Sequence, residues 1–245
     1  MSDNRVYIHE LVDITGPNRA KYMHHITANW SPIGQAERGQ LCFGIWGTVG
    51  STGRWPQVVN LWEYGSWSAL ADNFEHEFEH ATLQDPSLAS WWNEAASFRS
   101  GGFDRVLVAA PWSPSITELI ERGVRGVVYA HDIIEVAPGA SAEFLAIVRS
   151  EAIPAMSEFG ATLAGAFETA MCGGAECVVL WAFPSWQAWG DVEAAHGGGT
   201  SAAPWNGAPG DLVRRWGRTL MVDAPLSPMR IGRQPAVADR GQAPT

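Results

Sequence analysis

The chain has 245 residues, 46% of them apolar, which suffices for one large domain or two small ones. Sixteen basic against 26 acidic residues give a net charge of −10, and without a Lys/Arg run this excludes a nucleic-acid or anionic-membrane footprint. Cys42, Cys172 and Cys177 show neither metal spacing nor an even disulfide set. The amino terminus lacks a signal-peptide stretch, and no apolar run approaches the ~20 residues of a membrane helix. The expectation is a cytoplasmic protein with reduced thiols.

In chain order, Val6–Ile14 alternates and is β-branched, so it reads as a strand. After Gly16-Pro17, the recurrence of Met23, Ile26, Trp30 and Ile33 predicts a helix. Strands over Leu41–Val49 and Gln57–Tyr64 follow, joined by the Gly50–Gly53 turn. Ser66 caps a helix with Trp67, Leu70, Phe74 and Phe78 in one stripe. A short helix after Pro86 and a strand over Phe103–Ala110 complete the set. After a linker at 111–125 the scheme recurs: strand 126–136, helix 140–159, strands 161–170 and 176–183, a helix from Ser185, strand 218–224. The stretch 196–210 reads as a loop, and the tail from 229 has no periodicity and is expected to be mobile.

The recurrence is literal. VYIHELVDI at 6–14 matches VYAHDIIEV at 128–136, NLWEYGSW at 60–67 matches VLWAFPSW at 179–186, and AAPWSP at 109–114 matches DAPLSP at 223–228. Three matches in the same order point to a duplicated βαββαβ module, with bounds 1–112, 113–228 and a tail at 229–245. Such a module packs helices on one sheet face and leaves the other bare, so two copies can cover each other and enclose a space.

The opening strand Ile8-His9-Glu10-Leu11-Val12 before Gly16-Pro17, and the phrases Leu61-Trp62-Glu63-Tyr64 and Leu180-Trp181-Ala182-Phe183, each followed closely by Ser-Trp, resemble the dimeric α+β barrel superfamily and, within it, NIPSNAP-like proteins. The resemblance implies an α+β fold: two fused ferredoxin-like modules forming an intramolecular dimeric α+β barrel. The superfamily includes cofactor-independent monooxygenases, isomerases, lyases and haem proteins, so fold alone does not settle function.

Strand alternation gives the candidate site. Placing the small aliphatic residues under the helices turns Tyr7, His9, Asn60, Trp62, Tyr64, Tyr129, His131, Trp181 and Phe183 into an enclosed cavity. His9, His131 and Tyr64 are the catalytic candidates, because imidazole titrates near neutrality and a phenol can donate to a developing oxyanion. Tyr7, Asn60, Trp62, Tyr129, Trp181 and Phe183 are the substrate-binding candidates. The opposite phase would put Glu10, Glu63 and Asp132 in their place. Asp72, His76 and His80 share a helix face, but one expected to meet water, so no metal site is assigned. No GxGxxG, P-loop, HExxH or GxSxG motif occurs, and no cofactor is expected.

The leading expectation is a cofactor-independent isomerase, cyclase or lyase acting by proton transfer on a small apolar oxygenated molecule. The alternatives are a cofactor-independent monooxygenase and a haem- or small-ligand-binding protein with a cavity His as axial ligand. Trp91, Trp92 and Trp205 are candidates for an apolar contact in a homodimer.

Overall fold

The computed structural model describes residues 5–196 and 211–241; the expected loop, Trp205 and the His196 side chain lie outside the described set. The strands are β1 (Val6–Ile14), β2 (Leu41–Thr48), β3 (Gln57–Tyr64), β4 (Arg99–Ala109), β5 (Val128–Val136), β6 (Thr162–Thr169), β7 (Glu176–Phe183) and β8 (Val213–Asp223). They close into one barrel, antiparallel throughout, in the order β1-β3-β2-β8-β5-β7-β6-β4. The quartets β4-β1-β3-β2 and β6-β7-β5-β8 are extensively paired within themselves. They join at short seams, Trp46–Thr48 against Met221–Asp223 and Leu107–Ala109 against Phe167–Thr169.

The helices are α1 (Arg19–His24), α2 (Ser31–Glu37), α3 (Trp67–Phe78), α4 (Ala89–Phe98), α5 (Ile116–Glu121), α6 (Ser141–Ile147), α7 (Ile153–Ser157), α8 (Trp186–His196) and α9 (Pro228–Ile231). None among the described residues is long and apolar enough to cross a membrane. In each half a π-helical segment, His25–Trp30 or Val148–Ala152, interrupts the helix that the sequence predicts as continuous. The widened turn often accompanies functional sites. Ser66 caps α3 as expected, accepting from the Ala69 amide at 3.1 Å.

Both halves also share a strand irregularity, between Cys42 and Gly44 in β2 and between Leu163 and Gly165 in β6. The glycines have a steric reason. A Cβ on Gly44 would overlap the Trp46 ring, and one on Gly165 the Phe167 ring. Each large ring folds back over its own strand and fills the barrel.

The barrel interior is therefore packed rather than hollow. Tyr7, Phe43, Leu61, Tyr129, Phe167 and Leu180 are all buried in one cluster. The linker supplies α5, whose capping box pairs Ser115 with Glu118 and whose Ile116 and Leu119 join that interior cluster. The expectation of a mobile tail is corrected over its described part. The Gln234 side chain accepts from the Cys42 amide at 3.0 Å and donates to its carbonyl at 2.8 Å, serving as a strand partner at the β2 bulge. Gln35 binds the Pro235 carbonyl at 2.9 Å, and Arg233 makes two bonds to the buried Asp239.

Candidate active site

Cross-strand register decides which side chains share a face. His9 pairs with Leu61 and Ile8 with Trp62; His131 pairs with Leu180 and Ala130 with Trp181. Tyr7, His9, Tyr129 and His131 thus point into the barrel, as expected. Asn60, Trp62, Tyr64, Trp181 and Phe183 do not: they lie on the helix side. The two indoles sit in separate clusters and line no shared cavity, which corrects the sequence reading. Each indole fits beneath its helices for a different reason. Small Ala130 faces Trp181 across the ladder, and the helices of the first half stand away from Trp62.

Inside the barrel the His9 and His131 rings meet at 4.9 Å between centroids. They are only 1% and 2% exposed, and neither ring nitrogen of His9 has a hydrogen-bond partner among the described residues. Burial, the neighbouring His131 and the Arg105 charge hold His9 well below the usual histidine range. Burial and Arg105 push His131 down to about 3. Both are neutral core groups at pH 7. Glu63, one of the fallback acids, lies on the barrel side, accepting from Tyr7 Oη at 2.8 Å and from the Ile116 amide at 3.0 Å.

Open space lies between the outer face of the first quartet and its helices, as a cavity of about 610 Å³. The sheet contributes Ile8, Glu10, Trp62, Tyr64, Asp104 and Val106; the helical layer contributes Ile26, Trp30, Phe74, Phe78, Trp91 and Trp92. The turn after β6, with Met171 and Cys172, forms part of the rim. The stripe expected to bury α3 against the sheet instead buries Leu70 and leaves Phe74 and Phe78 as cavity wall. Trp91 and Trp92 are likewise wall residues, which removes the motive for reading them as a dimer contact. His25 supports the wall from behind, stacked on Trp91 at 4.9 Å.

Glu10 stands at the centre of the sheet wall. Its Oε2 accepts from Trp62 Nε1 at 2.7 Å and from Asn60 Nδ2 at 3.0 Å. Asn60 also donates to Tyr22 Oη at 2.8 Å, which fixes the amide. Oε1 has no such donor among the described residues, and Glu10 lines the cavity. Burial raises the Glu10 pKa above the usual carboxylate range. The bonds from Trp62 and Asn60 oppose the rise, Asp104 adds to it, and Arg99 opposes it.

At the other end of the wall, Trp30 Nε1 donates to Gln40 Oε1 at 2.9 Å, and Gln40 Nε2 donates to Tyr64 Oη at 2.7 Å. That direction makes Tyr64 an acceptor toward Gln40 and leaves its own proton to be donated. Burial raises the phenol pKa, so it stays neutral. Arg38, also in the lining, is engaged by Glu77 at 3.1 Å and Asp85 at 3.4 Å.

The corresponding acid in the second half is tied down. Asp132, the counterpart of Glu10, receives two bonds from Arg218 at 2.7 and 2.8 Å, and Arg218 also reaches Glu193 at 2.9 Å. The guanidinium lies over the Trp216 ring, 4.9 Å from its centroid. Asp132 is thus a structural ion-pair partner. Of the fallback acids, Glu10 alone lines the cavity, together with Tyr64 and Trp62 from the first set. Sequence reasoning missed Asp104 and the aromatic wall of α4. The signal was present in the unequal residues at the repeated cross-strand position, Asp104 against Arg218. Among the described residues no group of three or more His, Cys, Asp or Glu could hold a metal ion; His76 instead approaches Asp85 at 3.2 Å.

No family model matches the sequence, and no curated protein matches it. Solved structures do match the fold. A candidate monooxygenase from Fusobacterium nucleatum aligns at TM-score 0.55 and 10% identity, covering 91% of this chain and 94% of that one. A candidate chlorite dismutase aligns at 0.55 and 14%, covering 91% and 96%. An anthrone oxidase-like protein aligns at 0.53 and 14%, covering 90% and 91%. The chain has the α+β barrel fold of these proteins. The isomerase, cyclase or lyase expectation is overturned: these neighbours bear the names of oxygen chemistry, and the histidine pair that carried the expectation is sealed inside the barrel.

Proposed function

We propose that the chain is an oxygenase of the monooxygenase type, acting on a flat aromatic molecule with an acidified methylene group. The supporting observation is Glu10: one carboxylate oxygen anchored by Trp62 and Asn60, the other open to a 610 Å³ aromatic cavity. A carboxylate of raised pKa is suited to take a proton from carbon. The resulting carbanion, spread over the rings and a carbonyl whose oxygen Tyr64 stabilises by donation, reduces dioxygen. The balance is CH₂ plus O₂ to C=O plus H₂O: the methylene loses four electrons, and no outside reductant is required. The indole and phenyl walls hold the rings and exclude water.

The lining does not fit haem. None of its described residues is a histidine, and His9 and His131 lie in the barrel instead. Cys172 donates its Sγ proton to the Thr169 carbonyl at 3.0 Å, and of the four carboxylates in the lining Glu77 and Glu176 engage Arg38 and Arg105, while Glu10 and Asp104 have no salt bridge among the described residues. NIPSNAP-like kinship and origin by fusion of two ferredoxin-like modules belong to the same proposal. The shared element order, π segments and paired glycine bulges support them.

Oxygen uptake with anthrone as probe tests the reaction. Wild type consumes oxygen and forms the quinone, while Glu10→Gln loses about 100-fold or more in kcat, the scale of a lost general base. Full turnover in Glu10→Gln refutes the mechanism. Binding without oxygen uptake leaves a ligand carrier.

A further inference from the structure

We propose that Asp104 is the positioning residue that makes Glu10 reactive, and that the identity of this one cross-strand position decides whether the acid beside it is free to react. The inference rests on the reading of Glu10 as a base.

Glu10 and Asp104 are direct partners in the β1–β4 ladder, so both side chains leave the sheet on the same face, and both line the cavity. Like charges directly opposite one another on a sheet repel. In the second half Asp132 and Arg218 are direct partners in the β5–β8 ladder, and there the pair is attractive, bidentate and buried. The protein therefore contains its own comparison. With Arg at the position the acid is locked in a buried ion pair; with Asp the acid has a free oxygen and an open cavity before it.

The other charged or titratable groups that bear on Glu10 are few. Arg99, from the start of β4, pulls against Asp104 and cation–π packs on Trp92 at 5.5 Å. Tyr22 from α1 and Tyr64 from β3 are neutral phenols held by Asn60 and Gln40. Arg38 and Glu77, across the cavity, are engaged with each other. Asp104 is thus the one acid among these groups that opposes ionisation of Glu10 without a salt bridge of its own among the described residues. It is exposed at the mouth, so substituting it disturbs little packing.

The test uses the full chain with Asp104→Asn and Asp104→Arg. Isotope-edited infrared spectroscopy, with Glu10→Gln as the subtraction control, follows ionisation of the Glu10 carboxyl. Glu10 is expected to ionise at lower pH in Asp104→Asn and lower again in Asp104→Arg, with melting temperatures near wild type. The rising limb of kcat/KM against pH for anthrone moves the same way, because the base must be ionised to act. Asp104→Arg also loses activity at least tenfold as the guanidinium enters the cavity. An unchanged Glu10 titration in both variants overturns the proposal, as does a pH limb that stays in place in Asp104→Asn. If the titration moves but wild type consumes no oxygen, the oxygenase reading falls and the positioning role stands.

Discussion

Replacing Arg218 by Met separates the structural acid of the second half from the functional acid of the first. Asp132 is 0% exposed and the Arg218 side chain 7%, so the substitution strands a carboxylate that water cannot reach. Breaking a buried pair from one side costs about 3–5 kcal/mol, because the remaining charge keeps its desolvation penalty. Glu193, 39% exposed, returns to solvent and adds little. For a chain of this size each kcal/mol is worth roughly 2–4 °C, so the midpoint should fall by about 6–20 °C. The double variant Asp132→Leu/Arg218→Met removes both charges and should recover most of the loss, since an apolar pair of similar volume is often neutral. Urea unfolding of wild type, both single variants and the double variant closes the cycle. A loss below about 1 kcal/mol in Arg218→Met would refute the reasoning. So would a double variant no better than the worse single one. Oxygen uptake measured below the transition should be unchanged, because the first-half cavity is untouched.

The barrel histidines make stability depend on acid. Their folded pKa values are depressed, so the unfolded chain binds more protons, and stability present above about pH 6.5 is lost as pH falls toward 3. For His131, pushed down to about 3 by burial and Arg105, the loss is on the order of 5 kcal/mol at the low end; His131→Phe should flatten the slope of urea-unfolding free energy between pH 6.5 and 3. Gly44→Ala and Gly165→Ala should each cost about 1–3 kcal/mol in thermal unfolding by forcing Trp46 or Phe167 off its seat. Gln234→Ala leaves the Cys42 amide and carbonyl without their partner, and hydrogen exchange at Cys42 should accelerate while exchange at Leu61 stays slow.

Much of this architecture was legible because short sequence phrases recur along the chain. In VYIHELVDI and VYAHDIIEV alternation separates His9 and His131 from Glu10 and Asp132, and placing the small aliphatic residues under the helices turns both histidines inward, where the ladders put them. Alternation within β3 also separates Trp62 from Leu61, yet it carries no information about which of them shares a face with His9. That follows from the pairing of His9 with Leu61, a contact between residues far apart in the chain. Trp62 fits on the helix side because α3 and α4 stand off from the sheet, a tertiary fact that no local pattern announces. The same standoff lets Glu10 line a cavity from the helix-facing side of its strand. The docking of the tail was illegible because it depends on a single amide, Gln234, meeting a bulge in β2.

The seams carry a consequence for how the molecule is assembled. Each quartet is laced by long ladders, whereas the quartets meet through short stretches at β2–β8 and β4–β6 and through the rings they bury together. Cutting the backbone after α5 severs no strand. The two fragments would each present unsatisfied strand edges and a wall of bare aromatic rings, so neither could persist alone in water without sticking to something. Their complement is the other fragment. The covalent link thus acts mainly on concentration: it holds each half permanently beside the one surface shaped to receive it, ahead of any foreign edge.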